Sequence, residues 1–460
     1  MRRASPSMGI FVLALALAPV DVAGARGPDR DGGLRLEIDP GEFAREDAVI
    51  RVEVPDARLA ASVHRALEDG PIGLELRETG DGAAGGEPVT VQAERAPGES
   101  SGRVRLIWIL TGRTPAHAHR RFQVGTEPVT PGSSPWTISE RPDGSLELKN
   151  GQRTVFRYNG RPVSHPNYGP IQARDAYIHP AFTPTGALIT GDFSRFHPHH
   201  RGFFLAYTKT EVGGLHPDFW NIQSGTGKIA CERVGPTALG PVTARFSALH
   251  RWEASGGTVV LRERWDVEAF HIPGQTYWLF DLTSTQQATG SPLRLPPYRY
   301  GGMAYRGPEP FVQGPLDVLT SEGLSRKDGD QEPARWVDLT GPIAEGSARY
   351  AGAMILDHPG NVNHPTVARI HPTTLPFFCF VPGHDETVTI GAAEPTVFRY
   401  RILIHDGHPD RVRNERIWHD FADPVRVVVA PSAPLDEQPV DPCLSREPSS
   451  KIDPVDATSW

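Results

Sequence analysis

Glycine and proline punctuate this chain along its whole length, and this feature restricts its fold more than any other. The 460 residues include 47 Gly and 45 Pro, which are spread along the sequence rather than clustered. Because proline breaks helix interiors and both residues mark turns, such a chain is divided into short segments. No stretch shows a helical period over more than two turns, so the pattern predicts an all-β protein.

Residues 34–125 are predicted to form a first domain of short strands. Runs of alternating apolar and polar residues occur at 34–38, 48–54, 88–93, 103–110 and 117–124. This spacing is typical of a small immunoglobulin-like β-sandwich. We find no candidate chemistry in it, and residues 126–135 are interpreted as a linker.

The second predicted domain covers residues 136–430 and is again a series of strands joined by Gly/Pro turns. Nearly three hundred residues are more than a seven-stranded sandwich contains. We therefore expect two large antiparallel sheets packed face to face, a supersandwich. Strand 258–270 has one apolar face, interrupted by Glu263, and one charged face. We expect the apolar face in the core, and the charged face in water rather than in a cleft.

The two ends of the chain differ from both predicted domains. Residues 1–25 combine Arg2 and Arg3, an apolar run at 9–20 and a small-residue cleavage motif at 23–25, which predicts a signal peptide. The apolar run is shorter than the ~20 residues of a spanning helix. We therefore expect export, with a periplasmic or extracellular location. The tail at 431–460 lacks periodicity and is predicted to be disordered.

Three cysteines are present, at positions 231, 379 and 443. Either a Cys231–Cys379 disulfide or two buried free thiols fits the strand-like surroundings of these two residues. No CxxC spacing indicates a structural zinc site.

Composition and missing motifs exclude several classes of function. The 38 % hydrophobic content is too low for a polytopic membrane protein, and a net charge of −8 leaves no basic stripe for nucleic acid. There is no G-x-S-x-G nucleophile elbow and no phosphate-binding glycine loop. We therefore expect no cofactor and no nucleic-acid partner.

The segment from Tyr177 to Trp220 is the strongest candidate for a functional site, because it holds five of the 18 histidines. Imidazole can donate, accept, transfer a proton or bind a metal near neutral pH. His197 and His199 would share one face of a strand, and a third metal ligand would have to come from elsewhere. We favour acid–base chemistry and assign no metal ligand.

Polar and aromatic residues at 218–221, 300–306 and 357–364 have the composition of a sugar-binding site, in which polar groups bind hydroxyls and aromatic rings stack on the sugar. The predicted catalytic residues are His179, His199, His200 and Asp218. The predicted substrate-binding residues are Arg201, Trp220, Tyr300, Arg306, His358, Asn361 and His364. A glycosidase carboxylate pair could come from Asp218, Asp266, Glu268 or Asp281.

Six motifs in residues 136–430 resemble exported bacterial proteins identified as the "methane oxygenase PmoA family". They are YIHP at 177–180, HPHHRG at 197–202, DFW at 218–220, YGGMAYR at 300–306, DHPGN at 357–361 with HP at 364–365, and FRYR at 398–401 with HDG at 405–407. The resemblance implies an all-β domain related to the galactose-mutarotase-like supersandwich of polysaccharide-degrading bacteria. The acid–base histidine of that fold would correspond to His179 or His200. A membrane-bound monooxygenase subunit would need spanning helices, which this sequence does not predict.

These observations predict an exported protein that binds and processes a carbohydrate or glycoside, as a hydrolase, lyase or epimerase. The alternatives are a non-catalytic glycan-binding protein and a metal-dependent oxygenase using His197 and His199. We expect imidazoles near positions 179, 199 and 360 to meet around one aromatic-walled hollow.

Overall fold

The structure is a computed structural model that describes residues 34–79, 87–96, 102–129, 134–274, 276–373 and 375–429. The predicted signal peptide, the predicted disordered tail and Cys443 lie outside the described residues. No helix in the described ranges is long and apolar enough to span a membrane.

Strands are the predominant regular elements of the described chain. The first six are β1 (Arg35–Asp39), β2 (Arg45–Pro55), β3 (Ile72–Thr79), β4 (Val89–Arg95), β5 (Arg103–Thr114) and β6 (Arg120–Pro128). The next ten are β7 (Trp136–Glu140), β8 (Ser145–Asn150), β9 (Arg153–Asn159), β10 (Tyr177–Ala181), β11 (Phe203–Ala206), β12 (Gly227–Leu239), β13 (Thr243–Ala254), β14 (Val259–Phe270), β15 (Tyr277–Ala288) and β16 (Leu293–Leu295). The last ten are β17 (Gly302–Arg306), β18 (Asp317–Thr320), β19 (Glu332–Pro333), β20 (Trp336–Pro342), β21 (Tyr350–Asp357), β22 (Val367–Ile370), β23 (Phe377–Val381), β24 (Val388–Ile390), β25 (Thr396–Asp406) and β26 (Arg426–Val429).

Between the strands, the described residues form three α-helices: α1 (Ala61–Ala66), α2 (Pro310–Gln313) and α3 (Arg411–Ala422). Helix α3 is longer than the sequence analysis allowed. The Asp410 side chain caps its N-terminus by accepting hydrogen bonds from the amides of Val412 and Arg413, and Ile417 and Phe421 are buried on one face. The expectation that no helix exceeds two turns is therefore wrong for residues 411–422.

Seven strands form an N-terminal sheet in the order β2-β5-β4-β3-β6-β1-β26. Strand β26 comes from the far end of the described chain and pairs antiparallel with β1, from Leu36–Val429 to Asp39–Arg426. Its valines at 427 and 429 are buried in the same apolar cluster as the strands of residues 34–128. Residues almost four hundred positions apart therefore complete one core.

Two larger antiparallel sheets hold most of the remaining described strands, and β16 and β24 pair as a separate two-stranded sheet. The strand orders of the two larger sheets are β19-β22-β23-β17-β11-β10-β9-β8-β7 and β12-β13-β14-β15-β25-β21-β20-β18, with nine and eight strands. Phe156 of the first sheet packs on Phe280 and Phe246 of the second, with ring centroids 5.0 Å and 6.4 Å apart. One apolar cluster spans both sheets. The predicted all-β class with two large facing sheets is confirmed.

A fully paired polar network lies inside this sandwich, around Glu263 of β14. The Glu263 carboxylate accepts hydrogen bonds from the indole N–H groups of Trp252 and Trp265 at 3.0 Å and 2.8 Å, and from Ser284 Oγ at 2.6 Å. His250 Nδ1 lies 3.0 Å from the same carboxylate, and Gln286 Nε2 donates to it at 3.1 Å. These bonds hold the pKa of Glu263 below its usual value although burial raises it.

The N-terminal sheet packs against the outer face of the eight-stranded sheet. Arg51 of β2 donates to Glu268 at 2.9 Å and to Asp281 at 2.8 Å. Arg105 of β5 also donates to Glu268, at 3.0 Å. Because these contacts cover one end of the charged face of β14, the expectation that this face is solvated is wrong at Glu268. Both Cys231 and Cys379 are free thiols.

Candidate functional site

The loop between β10 and β11 carries three of the predicted histidines, and backbone contacts fix it against β17. The amide of Gly202 donates to the carbonyl of Gly191 at 2.9 Å, and the amide of Arg306 donates to the carbonyl of Gly202 at 2.8 Å. A Cβ atom at Gly202 would collide with the carbonyl oxygen of Ile178, and one at Gly191 with that of Gly307. The two glycines therefore allow the loop to lie directly on the sheet.

Arg201 anchors this loop from inside the protein. Its side chain is 0 % exposed, and its guanidinium donates to Asp192 at 2.5 Å and to the carbonyl oxygen of Gln172. It also lies over the ring of Phe193, 3.5 Å from the centroid. Arg201 was predicted to bind substrate, whereas its contacts in the structure are those of a residue that positions the loop.

Four imidazoles gather at this loop and form what we call the histidine cluster: His197, His199, His200 and His371. The ring centroids of His199 and His200 are 4.6 Å apart, and those of His197 and His200 are 5.0 Å apart. The His371 ring lies 6.4 Å from that of His197. His371 stands just before β23 and was not predicted, because nothing in the local sequence links residue 371 to residue 197.

Burial keeps the cluster uncharged near neutral pH. It lowers the pKa of His199 to about 3 and that of His371 to about 4, and it holds the pKa of His200 well below the usual value. The pKa of His197 is also lowered, by burial and then by the charge of Arg306. Neutral imidazole carries one N–H donor and one free acceptor nitrogen, so each ring can both donate and accept. His197 Nδ1 and His200 Nδ1 are buried and have no hydrogen-bond partner among the described residues.

Two buried arginines flank the histidine cluster. Arg174 donates to the carbonyl oxygens of Phe219 and His199 at 3.2 Å and 3.5 Å. Arg306, at the end of β17, donates from Nη2 to Ser194 Oγ at 2.7 Å. Burial lowers the pKa of Arg174 to about 9 and that of Arg306 to about 10, so both keep a positive charge at neutral pH. Arg174 was missed by the sequence analysis and Arg306 was predicted.

An aromatic wall adjoins the cluster. The ring of His200 stacks on Phe377 at 4.6 Å and meets Trp220 edge-on at 5.6 Å. Tyr300 lies 5.5 Å from Trp220, and Tyr298 lies 4.9 Å from Tyr300. Trp220 is buried, whereas both tyrosines are partly exposed. The predicted residues Trp220 and Tyr300 are thus brought to the same place as His200, with the tyrosines at the surface.

Asp218 shapes the neighbouring turn. Its Oδ1 accepts from the amides of Trp220 and Asn221 at 2.9 Å and 2.7 Å. Its Oδ2 accepts from Thr208 Oγ1 at 3.1 Å and from Asn221 Nδ2 at 2.9 Å. The carboxylate predicted to be catalytic is therefore occupied in holding Trp220 beside His200.

His179 lies on β10, beside the histidine-bearing loop. Its Nδ1 is 3.0 Å from Thr190 Oγ1, and burial lowers its pKa. The charges of Asp192 and Arg201 also act on this imidazole. No ring contact joins it to the histidine cluster within the described residues.

The predicted residues His358, Asn361 and His364 belong to a different place. Asp357 accepts hydrogen bonds from Asn361 Nδ2 at 2.7 Å and lies 2.7 Å from His364 Nδ1. His364 precedes β22 and His371 follows it, so the two imidazoles are at opposite ends of one strand. The structure therefore does not join these three residues to the histidine cluster.

His358 faces a cavity of about 1160 Å³ between the N-terminal sheet and the eight-stranded sheet. The candidate glycosidase carboxylates at 266, 268 and 281 also line it. Glu268 and Asp281 are paired with Arg51, and Asp281 also accepts from Arg401 at 2.7 Å. Glu268 and Asp281 are thus matched by arginines, and neither forms a hydrogen bond with the histidine cluster.

Within the described ranges, no carboxylate forms a hydrogen bond with an imidazole of the histidine cluster. Among the same residues, no group of three or more His, Cys, Asp or Glu side chains is arranged to hold a metal ion. The cluster is therefore a set of neutral rings beside two cations and an aromatic wall. It can exchange protons and hydrogen-bond hydroxyl or anionic oxygens.

Comparisons with known proteins return weak structural likenesses. An α-mannosidase from Enterococcus faecalis V583 aligns over 88 % of this chain with 11 % identity and a TM-score of 0.36. A protein in glycosyl hydrolase family 38 from Enterococcus faecalis aligns over 88 % of the chain with 9 % identity and a TM-score of 0.35. The chain spans about half the length of each, 46 % and 48 %. No curated protein matches the sequence.

A family profile gives a more direct result. The profile of the family of unknown function DUF6807 matches residues 145–419. The match runs from β8 into helix α3 and includes the histidine cluster, both flanking arginines and the aromatic wall. It covers more than half of the 460 residues, so the chain belongs to the DUF6807 family.

Proposed function

We propose that this protein binds and processes a carbohydrate or glycoside at the histidine cluster. The observation that carries the proposal is the packing of four neutral imidazoles, at ring distances of 4.6–6.4 Å, beside an aromatic wall that ends in two partly exposed tyrosines. Sugars present hydroxyl groups together with apolar C–H faces. A wall of Tyr298 and Tyr300 next to imidazole donors and acceptors is suited to both.

The chemistry proposed is proton transfer by imidazole. Neutral His199 or His200 would accept a proton from a sugar hydroxyl or ring carbon, and the imidazolium formed would return that proton to the product, at the leaving oxygen or on the ring. The positive charge of Arg306, which together with burial lowers the pKa of His197 and of His200, would stabilise the anionic oxygen that forms when the sugar loses its proton. Reactions that pass through an oxyanion or enolate, as in lyases and epimerases, fit this arrangement better than glycosidase chemistry, which needs two carboxylates.

A second candidate is a non-catalytic glycan-binding protein with the same site. It is favoured by one observation: among the described residues, no carboxylate hydrogen-bonds to the cluster and could serve as the partner of an acid–base histidine. A site that only holds sugar needs donors, acceptors and a stacking surface, and all three are present.

Incubation with a panel of plant and algal glycosides, followed by mass spectrometry of the products, separates the two candidates. Turnover that disappears in His200→Gln and persists in His216→Gln would support the enzyme, since His216 is an exposed histidine of the same segment. Binding without turnover on every member would favour the glycan-binding protein. Thermal melting of both variants is the control for folding.

The remaining parts of the prediction are also proposals. Export to the periplasm or the exterior is tested by locating the mature N-terminus, which we expect at Arg26. The hypothesis of a metal-dependent oxygenase is tested by elemental analysis of the purified protein. A stoichiometric transition metal would support it.

A further inference from the structure

Five arginines in the described part of the chain are almost completely buried: Arg45, Arg174, Arg201, Arg306 and Arg401. A buried guanidinium loses its hydration and is normally compensated by a carboxylate. Three of the five follow this rule, with Arg45 on Asp420 at 3.1 Å, Arg201 on Asp192 at 2.5 Å and Arg401 on Asp281 at 2.7 Å.

Arg306 departs from this rule most clearly. Its side chain is 1 % exposed, and no carboxylate of the described residues lies within ion-pair distance. Its described hydrogen bond goes to Ser194 Oγ, while Nε and Nη1 are buried without a partner. Arg174 also lacks a carboxylate there, but its two terminal nitrogens donate to backbone carbonyl oxygens. Among these five, Arg306 is therefore the one that lacks a carboxylate partner and also has two buried nitrogens without a hydrogen-bond partner in the described residues.

Among the described residues, no buried carboxylate near Arg306 replaces the missing charge. Its cation acts on His197, His200 and His371, all of which are neutral near pH 7. The carboxylate whose charge reaches it is that of Glu309, which is exposed to solvent. Arg306 is paired across strands with Phe377, on which the His200 ring stacks, so the unused donors lie beside the cluster.

We propose that the ligand of the histidine cluster carries an anionic oxygen group, a carboxylate or a sulfate ester, and that Arg306 binds this group. The inference rests on the proposed function, because it assigns the substrate class of the same site. A guanidinium presents planar N–H donors that match the oxygens of both groups. In this arrangement the ligand supplies the counter-charge that Asp192, Asp281 and Asp420 supply elsewhere, and acidic polysaccharides are the substrate class.

The test is calorimetric binding at pH 7 with matched pairs of oligosaccharides. One pair is an oligogalacturonate and its methyl ester, and the other is a sulfated carrageenan oligosaccharide and its desulfated form. In the full-length protein we expect the charged member of one pair to bind about tenfold or more tightly, as a charge-assisted hydrogen bond requires. The pair that shows the preference distinguishes a carboxylate from a sulfate.

Variants assign the preference to Arg306. Arg306→Gln is expected to abolish the difference between the charged and neutral members, and Arg306→Lys to retain part of it. Arg262→Gln is the control, since this exposed arginine pairs with Glu232 on the eight-stranded sheet and should leave the preference intact. Equal binding of both members of each pair to the unmodified protein would overturn the inference and leave the proposed function standing. A preference that persists in Arg306→Gln would overturn it as well. If no member binds, the proposed function fails and the inference fails with it.

Discussion

Two buried polar regions of this protein, the Glu263 network and the histidine cluster with its flanking arginines, both contact the same apolar core, and they differ in how completely their groups are paired. Around Glu263, both nitrogens of His250 have partners, Glu263 itself and the Tyr158 hydroxyl at 2.7 Å. In the histidine cluster, by contrast, Nδ1 of His197 and Nδ1 of His200 have no hydrogen-bond partner among the described residues. The same is true of two nitrogens of the neighbouring Arg306.

The difference teaches how to tell a structural polar network from a candidate site. Burying a polar group is costly unless it is hydrogen-bonded, so a network that only serves stability is fully paired. A site that binds a ligand leaves donors and acceptors to be completed by that ligand. Both regions contain buried histidine, and the pairing of their polar groups separates them.

The largest expected effect is on the paired network. Glu263→Ala removes the acceptor of two indoles, Ser284 and Gln286, so we expect a loss of about 3–5 kcal/mol in the free energy of unfolding. Urea denaturation at pH 7 measures it. The control is Glu232→Ala, which breaks a surface pair with Arg262 and should cost at most about 1 kcal/mol. Similar losses in the two variants would contradict the view that the Glu263 network supports the core.

A second prediction compares two arginines. Arg401→Met leaves Asp281 with Arg51 as its remaining described partner, and we expect a loss of about 2–3 kcal/mol. Arg306→Met removes a buried charge with no carboxylate partner in the described residues, so the ligand-free protein should lose nothing or become slightly more stable. Thermal and chemical denaturation of both variants would decide it. A destabilisation by Arg306→Met as large as that by Arg401→Met would show that Arg306 is a structural residue.

The third prediction concerns acid. Because the pKa of His199 is lowered to about 3 in the folded protein, the unfolded chain takes up the proton first as pH falls below the ordinary value of 6.5. The stability contributed by neutral His199 is therefore present above pH 6.5 and is lost as pH falls toward 3. From pH 6.5 to 5 the loss is roughly 2 kcal/mol. His199→Gln should flatten this part of the stability curve, and an unchanged slope would contradict the burial of the ring.

The smallest effect is expected at the second group of predicted residues. His364→Gln weakens one contact with Asp357, which keeps Asn361 and the amide of Thr366 as partners, so about 1 kcal/mol of stability should be lost. Binding of oligosaccharide to the histidine cluster should not change. A loss of ligand affinity in this variant would show that residues 358–364 act on the cluster after all.

The sequence predicted what depends on local pattern. Gly/Pro punctuation and period-two alternation gave the all-β class, and Glu263 was recognised as an interruption of the apolar face of β14. His197, His199 and His200 could be grouped because they lie within four positions. Helix α3 was missed, although Asp410 as an N-cap and the spacing of Ile417 and Phe421 carried its signal.

What the sequence could not predict is convergence across strands. His371 and Arg306 reach the cluster because β23 and β17 pair in a register that sets Phe377 opposite Arg306. Their sequence separation from His200 gives no hint of this. Sequence motifs also grouped residues that lie apart in the structure. His364 shares the His-Pro motif of the other candidates, but β22 separates it from His371, so the two imidazoles lie at opposite ends of that strand.

The pairing of β26 with β1 has a consequence for how this protein is made. Residues 426–429 form the last strand of the first sheet. During synthesis, β1 therefore cannot pair with β26 until almost all of the described chain has been translated. In a fragment that ends after β6, the backbone N–H and C=O groups along one edge of β1 would be unpaired. Such an exposed edge strand can pair with a strand of another chain. Expression of residues 34–128 alone should therefore yield aggregates rather than an independent module.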